Sequence, residues 1–128
     1  MTFKNSVYFQ SMHQTAAEYE RKNGIKSSLT DGQAKACRAW RNSTLSGNEI
    51  LEVRDLPWDR EVHDFVETLR AAGIDDFAVT DQSISLIGSL HRLADEGCTM
   101  QGLCTVTKRE RRGNFERNEE CEGILFRI

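Results

Sequence analysis

The sequence predicts an α+β domain of two layers, element order ααβαβαββ, with a mixed four-stranded sheet and helices mainly on one face. Three observations carry that expectation. The run Glu49–Thr107 alternates strand and helix patterns with almost no slack, as two consecutive βαβ units require, and a last strand pattern closes the chain at Gly123–Ile128. Parallel neighbours need crossover connections, which are right-handed almost without exception, so successive crossovers put both helices on the same face. The strand patterns carry charges at alternate positions, as half-buried strands do, unlike the uniformly apolar strands of a sheet covered on both sides. With 128 residues the chain reads as a single domain, 1–128, divided into a helical N-terminal part at 1–48 and a βαβαββ core at 49–128.

Residues 4–23 read as a helix. Val7, Tyr8, Met12, Thr15, Ala16 and Tyr19 recur at three- and four-residue steps, and Gly24 is a natural stop. Thr30 or Asp31 caps a second helix to about Asn42, with Leu29, Ala34, Cys37 and Trp40 as packing positions. Ser43–Asn48 reads as the clearest linker in the chain. Glu49–Arg54 is the first strand, with Leu51 and Val53 on one face and Glu52 and Arg54 on the other. Pro57 sits where a helix begins. Its stripe is Trp58, Val62, Phe65, Val66, Leu69 and Ala72, and Gly73 stops it. Phe77–Thr80 forms the next strand. Asp81 or Ser83 then caps a helix with the stripe Ile84, Ile87, Leu90 and Leu93, in which Gly88 hints at close backbone packing. Met100, Cys104 and Val106 lead a third strand to about Glu110. Arg111–Glu120 is too polar for a core and reads as a long hairpin loop before Ile124, Phe126 and Ile128 close the sheet. That last strand is short, and as an exposed edge it would support self-association.

Composition removes several function classes. No apolar run approaches the roughly 18 residues of a membrane span, so no membrane partner is expected. Met1–Ser6 lacks the basic and apolar regions of a secretion signal, which predicts a cytoplasmic protein with reduced thiols. Residues 1–48 carry seven Lys and Arg against three Asp and Glu, a net of +4, whereas 49–128 carry ten against seventeen, a net of −7. A basic part beside an acidic body can bind an acidic partner or dock on its own remainder, and docking needs no partner.

The residues that carry chemistry are few. Asp55 and Asp81 follow the first two strands, where open α/β sheets bind ligands, and a pair of carboxylates there could hold a metal for hydrolysis. The commoner role of an Asp at a strand-to-helix junction is a helix cap. Lys35, Arg38, Trp40 and Arg41, with Lys26 nearby, make a basic helix over 31–42 with an aromatic, the best nucleic-acid candidate, although a sequence pI near 5.6 argues against it. Cys98, Cys104 and Cys121 with His91 resemble a zinc set only superficially, since no C-x₂-C knuckle is present. A Cys98–His91 nucleophile pair is the remaining thiol option. His13, His63 and His91 fall on three separate helices, and Ser85 and Ser89 lack an elbow motif. The glycines form no phosphate loop, and no cofactor is expected.

Ser27–Arg41, reading SSLTDGQAKACRAWR, and Asp55–Val62, reading DLPWDREV, resemble a small family of uncharacterised bacterial proteins associated with mobile genetic elements. The resemblance covers most of the chain. It implies a bacterial cytoplasmic accessory protein and transfers no catalytic residue. With no catalytic motif on the frame, the expectation is a binding protein without catalytic activity, acting on protein partners or on itself. The two alternatives are a nucleic-acid-binding module using helix 31–42 and a small metal-dependent hydrolase using Asp55 and Asp81.

Overall fold

A computed structural model describes residues 7–24, 29–83 and 86–128, without the side chains of His13, Tyr19, Asn23 and residues 109–112. Lys26, Ile84 and Ser85, named above as candidates, lie outside the described residues. The order is α1 (Val7–Asn23), α2 (Asp31–Ser46), β1 (Leu51–Val53), a 3-10 turn (Asp59–Glu61), α3 (Val62–Ala71), β2 (Asp76–Val79), α4 (Leu86–Asp95), β3 (Thr99–Arg112) and β4 (Phe115–Arg127). The architecture is α+β with a mixed four-stranded sheet.

The strands lie in the order β1-β2-β4-β3. β1 and β2 are parallel, and β4 runs antiparallel between β2 and β3. The last strand is therefore interior and 13 residues long, not a short exposed edge. Crossover α4 skips one strand position, and the hairpin return fills the gap. No strand pattern records that choice, because it depends on which neighbour β4 covers better.

Leu51 and Val53, Phe77 and Val79, and Ile124 and Phe126 share the face under α3 and α4. Phe77 stacks on Phe126 with ring centroids 5.5 Å apart, and Phe65 of α3 meets Phe77 edge-on at 5.9 Å. Val62, Phe65, Val66 and Leu69 are fully buried, as the α3 stripe requires. Trp58, placed at the head of that stripe, is exposed: the chain is still extended there, with ψ 153°, and the helix starts through the 3-10 turn. Ile87 also points outward, leaving Leu93 as the fully buried residue of α4.

α2 extends the helical layer. A capping box starts it: the Thr30 hydroxyl accepts from the Gln33 N–H at 3.3 Å, and the Gln33 side chain accepts from the Thr30 N–H at 3.0 Å. It runs to Ser46, so Ser43–Ser46, read from sequence as linker, form its last turn, closed by Gly47 in the left-handed region. α1 packs on α2 through Phe9, buried and stacked on Trp40 at 5.5 Å. Gly32 is the contact point between α2 and α3. A Cβ there would sit 2.5 Å from the Glu61 carbonyl oxygen and 2.7 Å from the Phe65 nitrogen. Gly88, the glycine suspected of close packing, is open: its nearest neighbour, Asp59 Cβ, would be at 3.9 Å.

The second sheet face is closed at Glu52 and Ala78, although alternation assigns Glu52 to water. β1 and β3, the two outer strands, come into contact. Glu52 is 1 % exposed and holds Arg54 through Oε1, 2.9 Å from Nη2. The outward N–H of Glu52 donates to the Ser43 hydroxyl at 2.8 Å, and that hydroxyl donates to the Glu52 carbonyl at 3.3 Å. Asn48 does the same for β3: its side-chain oxygen accepts from the Thr107 N–H at 2.9 Å, and its Nδ2 donates to the Thr107 carbonyl at 2.6 Å.

Arg111–Glu120 is not a loop. β3 and β4 stay paired through Arg112↔Phe115, joined by the two-residue turn Gly113-Asn114 with Gly113 at φ +61°. Polarity misled the reading, because the arm covers no core and its strands need no apolar face. The register sets Lys108 opposite Glu119.

Two glycine substitutions separate packing from propensity. Gly32→Ala is expected to lower stability by about 1–3 kcal/mol through overpacking, and Gly88→Ala to raise it by about 0.5–1 kcal/mol; denaturant midpoints check both. Asn48→Ala strips both bonds from the half-buried Thr107 edge and is expected to cost about 1–3 kcal/mol, with faster amide exchange at Thr107 as the local readout.

Candidate functional site

The carboxyl ends of β1 and β2 open into a cleft of about 250 Å³, lined among others by Lys35, Asp55, Trp58, Asp59, Asp81 and Ser83. Its shape follows from the crossovers: Asp55 and Asp81 leave adjacent parallel strands at the same level, and α2 lays Lys35 between them. The structure thus brings Asp55 and Asp81 to one cleft, as the sequence places them, and adds a cation that the sequence assigned elsewhere. The Lys35 ammonium donates to Asp55 at 3.0 Å and lies 4.0 Å from Asp31. Arg38 reaches the other Asp55 oxygen at 3.3 Å. Asp81 accepts from the Leu56 N–H at 3.0 Å and from the Ser83 N–H at 2.9 Å. Burial pushes the Asp81 carboxyl up, but those two amides, the Ser83 hydroxyl and the Lys35 charge outweigh it and hold it below the usual range. Ser89 donates to the Pro57 carbonyl at 2.6 Å, which ties α4 to the cleft floor.

Both carboxylates of the cleft are tied into the protein's own contacts. Asp55 is bonded to two cations and Asp81 ties together two junctions. Among the described residues no three His, Cys, Asp or Glu side chains converge on a metal position. The basic helix is divided in the same way. Lys35 turns into the cleft, Trp40 packs between Phe9 and the core, Arg38 reaches from Asp55 to a second groove with Cys37 and Leu45, and Arg41 stays exposed beside it.

The thiols are dispersed. Cys98 is buried in the core, Cys104 pairs with Gly123 in register and Cys121 with Val106, while Cys37 meets Met12 at 3.3 Å. Burial pushes the Cys37 thiol up to about 11 and raises Cys98 and Cys104 as well, which leaves them protonated near neutrality. His91 turns to Asp95 at 3.6 Å on its own helix.

His63 of α3 sits 2.9 Å from Glu96, which also receives Arg92 at 3.4 Å, and Arg70 donates to the Glu96 carbonyl. The Glu96 contact raises the His63 pKa above its ordinary 6.5, and the same bond lowers Glu96 below its ordinary 4.5. A raised histidine stabilises fully below its unfolded value and loses that as pH climbs through the folded one; a lowered carboxylate loses its share as pH falls. The Tm difference between wild type and His63→Ala is therefore expected to be larger near pH 5.5 than near pH 9 (about those values), as thermal melts at both will show.

The β3–β4 arm is the second place where function can sit. Phe115 at its tip and Met100 and Leu103 at its root are exposed, and so are Glu116, Asn118, Glu120 and Glu122. The Gly113-Asn114 dipeptide between runs of opposite charge was the signal for this ribbon. Ser43, Asn48 and Gly32 had no such signal, since each acts on a partner far away in sequence.

Among the described residues no helix is long and apolar enough to cross a membrane. No curated protein and no solved structure registers as a match to this chain. Residues 35–128, from the second turn of α2 through β4, match the family described as a domain of unknown function, DUF7698. Those residues contain the cleft, the edge-closing pairs and the arm, and the chain belongs to the DUF7698 family.

Proposed function

We propose that this chain is a non-catalytic binding protein, a cytoplasmic accessory protein of bacterial mobile genetic elements whose partner is another protein. The resemblance of Ser27–Arg41 and Asp55–Val62 supports the setting. The observation that carries binding over catalysis is the condition of the cleft: Lys35 and Arg38 both bond Asp55, and Asp81 is held by backbone amides. A general base or a metal ligand offers its lone pairs to a substrate or an ion, and here each oxygen of Asp55 and of Asp81 already accepts a bond from the protein. The nucleic-acid reading of helix 31–42 loses Lys35 and Trp40 to intramolecular contacts, and the acidic body repels phosphate.

Titration of labelled duplex DNA at two salt concentrations tests this. Affinity no tighter than about 10⁻⁵ M at physiological salt is expected. Nanomolar binding with a steep salt slope, lost on Arg38→Ala with Arg41→Ala, would overturn the reading in favour of a nucleic-acid module.

A further inference from the structure

We propose that the outer face of α2 docks an acidic amphipathic helix of a partner protein, its apolar stripe in the groove beside Leu29, Cys37 and Leu45 and its carboxylates on Arg38 and Arg41. The inference rests on the binding-protein reading and gives its partner a chemistry.

α2 carries apolar residues on two opposite sides. Gly32, Ala36, Ala39 and Ser43 are buried on the side that meets α3 and β1. Steps of about 100° per residue place Ala34, Cys37, Arg38, Arg41 and Leu45 within about 50° of the opposite direction. A helix with a single core side is polar on the other. Here the other side holds a groove of about 520 Å³, in which Leu45 is 56 % exposed. α1 flanks it, with Met12 on Cys37 at 3.3 Å. Leu29 also lines a second groove, of about 480 Å³, that runs along α1 past Met12 and Tyr8. Exposed apolar surface edged by polar groups marks a place where another molecule binds.

The spacing selects a helix. Ala34, Cys37, Arg41 and Leu45 follow one another at three- and four-residue steps, the rhythm with which the side chains of a second helix interdigitate. Ala34 and Cys37 are small, so a partner's backbone can approach between the bulkier Leu29 and Leu45. The charge selects an acidic one. Among the described residues Arg38 and Arg41 are the charged groups that line the groove, and both are exposed. Arg38 is bonded to Asp55, whereas among the described residues Arg41 has no ion pair. The two stand about one turn apart, so carboxylates one turn apart on a facing helix reach both. A second copy docked by this face would set the same cations against each other across a two-fold axis, which disfavours it.

The probe is a labelled synthetic peptide with leucines at three- and four-residue steps and glutamates beside them. Its controls carry lysine for glutamate, or the same composition scrambled. The glutamate peptide is expected to bind the full chain and to shift the amide resonances of residues 34–45. Its affinity should fall at least about tenfold in Arg41→Glu, and likewise in Leu45→Asp. Arg41→Gln should weaken it in part, the control should charge reversal disturb folding. Arg41→Glu should in turn bind the lysine peptide more tightly than wild type does. Absence of binding, or equal binding of the scrambled peptide, would overturn the groove, because charge alone would then explain any attraction. A long-chain fatty acid that displaces the peptide and binds more tightly would overturn it as well. So would a wild-type dimer in sedimentation that Leu45→Asp dissolves, since a second copy would occupy the face. Failure of the peptide while DNA binding stays weak removes the groove alone; nanomolar DNA binding removes the reading beneath it.

Discussion

A four-stranded sheet has two outer strands whose backbone groups lack partners, and one short segment closes both of them here. Ser43, on the last turn of α2, satisfies the outward N–H and C=O of Glu52, and Asn48, just beyond that helix, satisfies those of Thr107. Leaving such groups buried and unpaired would cost more than the net worth of the bonds themselves. Ser43 and Asn48 are themselves buried. The two pairs hold β1 and β3 near each other, which encloses Glu52 and makes its partner Arg54 necessary, because a buried carboxylate without a cation is strongly disfavoured.

The same helix sets the charge layout. α2 approaches α3 closely enough at Gly32 to exclude any side chain, and from that position Lys35 and Arg38 fall over Asp55. A basic helix would be free to meet phosphates only if its cations pointed away from the body. One turn of this helix points the other way. The asymmetry between a basic N-terminal part and an acidic core is thus partly consumed inside the molecule. Exposed pairs such as Arg38–Asp55 add little stability, so the docking of α1 and α2 rests on Phe9, Trp40, Ala36 and Ala39.

Beyond Thr107 the ribbon has no helix to lean on. A two-stranded hairpin is marginal by itself, and this one is held by the Gly113 turn, by its backbone ladder and by Asn48 at its root. Those restraints order the arm without hiding its edges. The β3 edge is guarded by Asn48 and by the irregularity between Met100 and Gly102.

Local pattern determined the elements: the α3 stripe, the Thr30 cap, the alternation of Phe77 and Val79 and the order ααβαβαββ are all legible in the chain, because 3.6- and 2-residue periods and capping chemistry act over a few residues. So was the meeting of Asp55 and Asp81, which follows from ending two parallel strands at one level. Tertiary structure alone decided the insertion of β4 between β2 and β3, the continuation of α2 through Ser43–Ser46, the burial of Glu52 and the exposure of Trp58. It also placed Lys35 in the cleft instead of on a nucleic-acid face. Each of these depends on a contact between residues distant in sequence, such as Asn48 with Thr107, and no local period records which distant partner a hydroxyl, an amide or a strand edge will find.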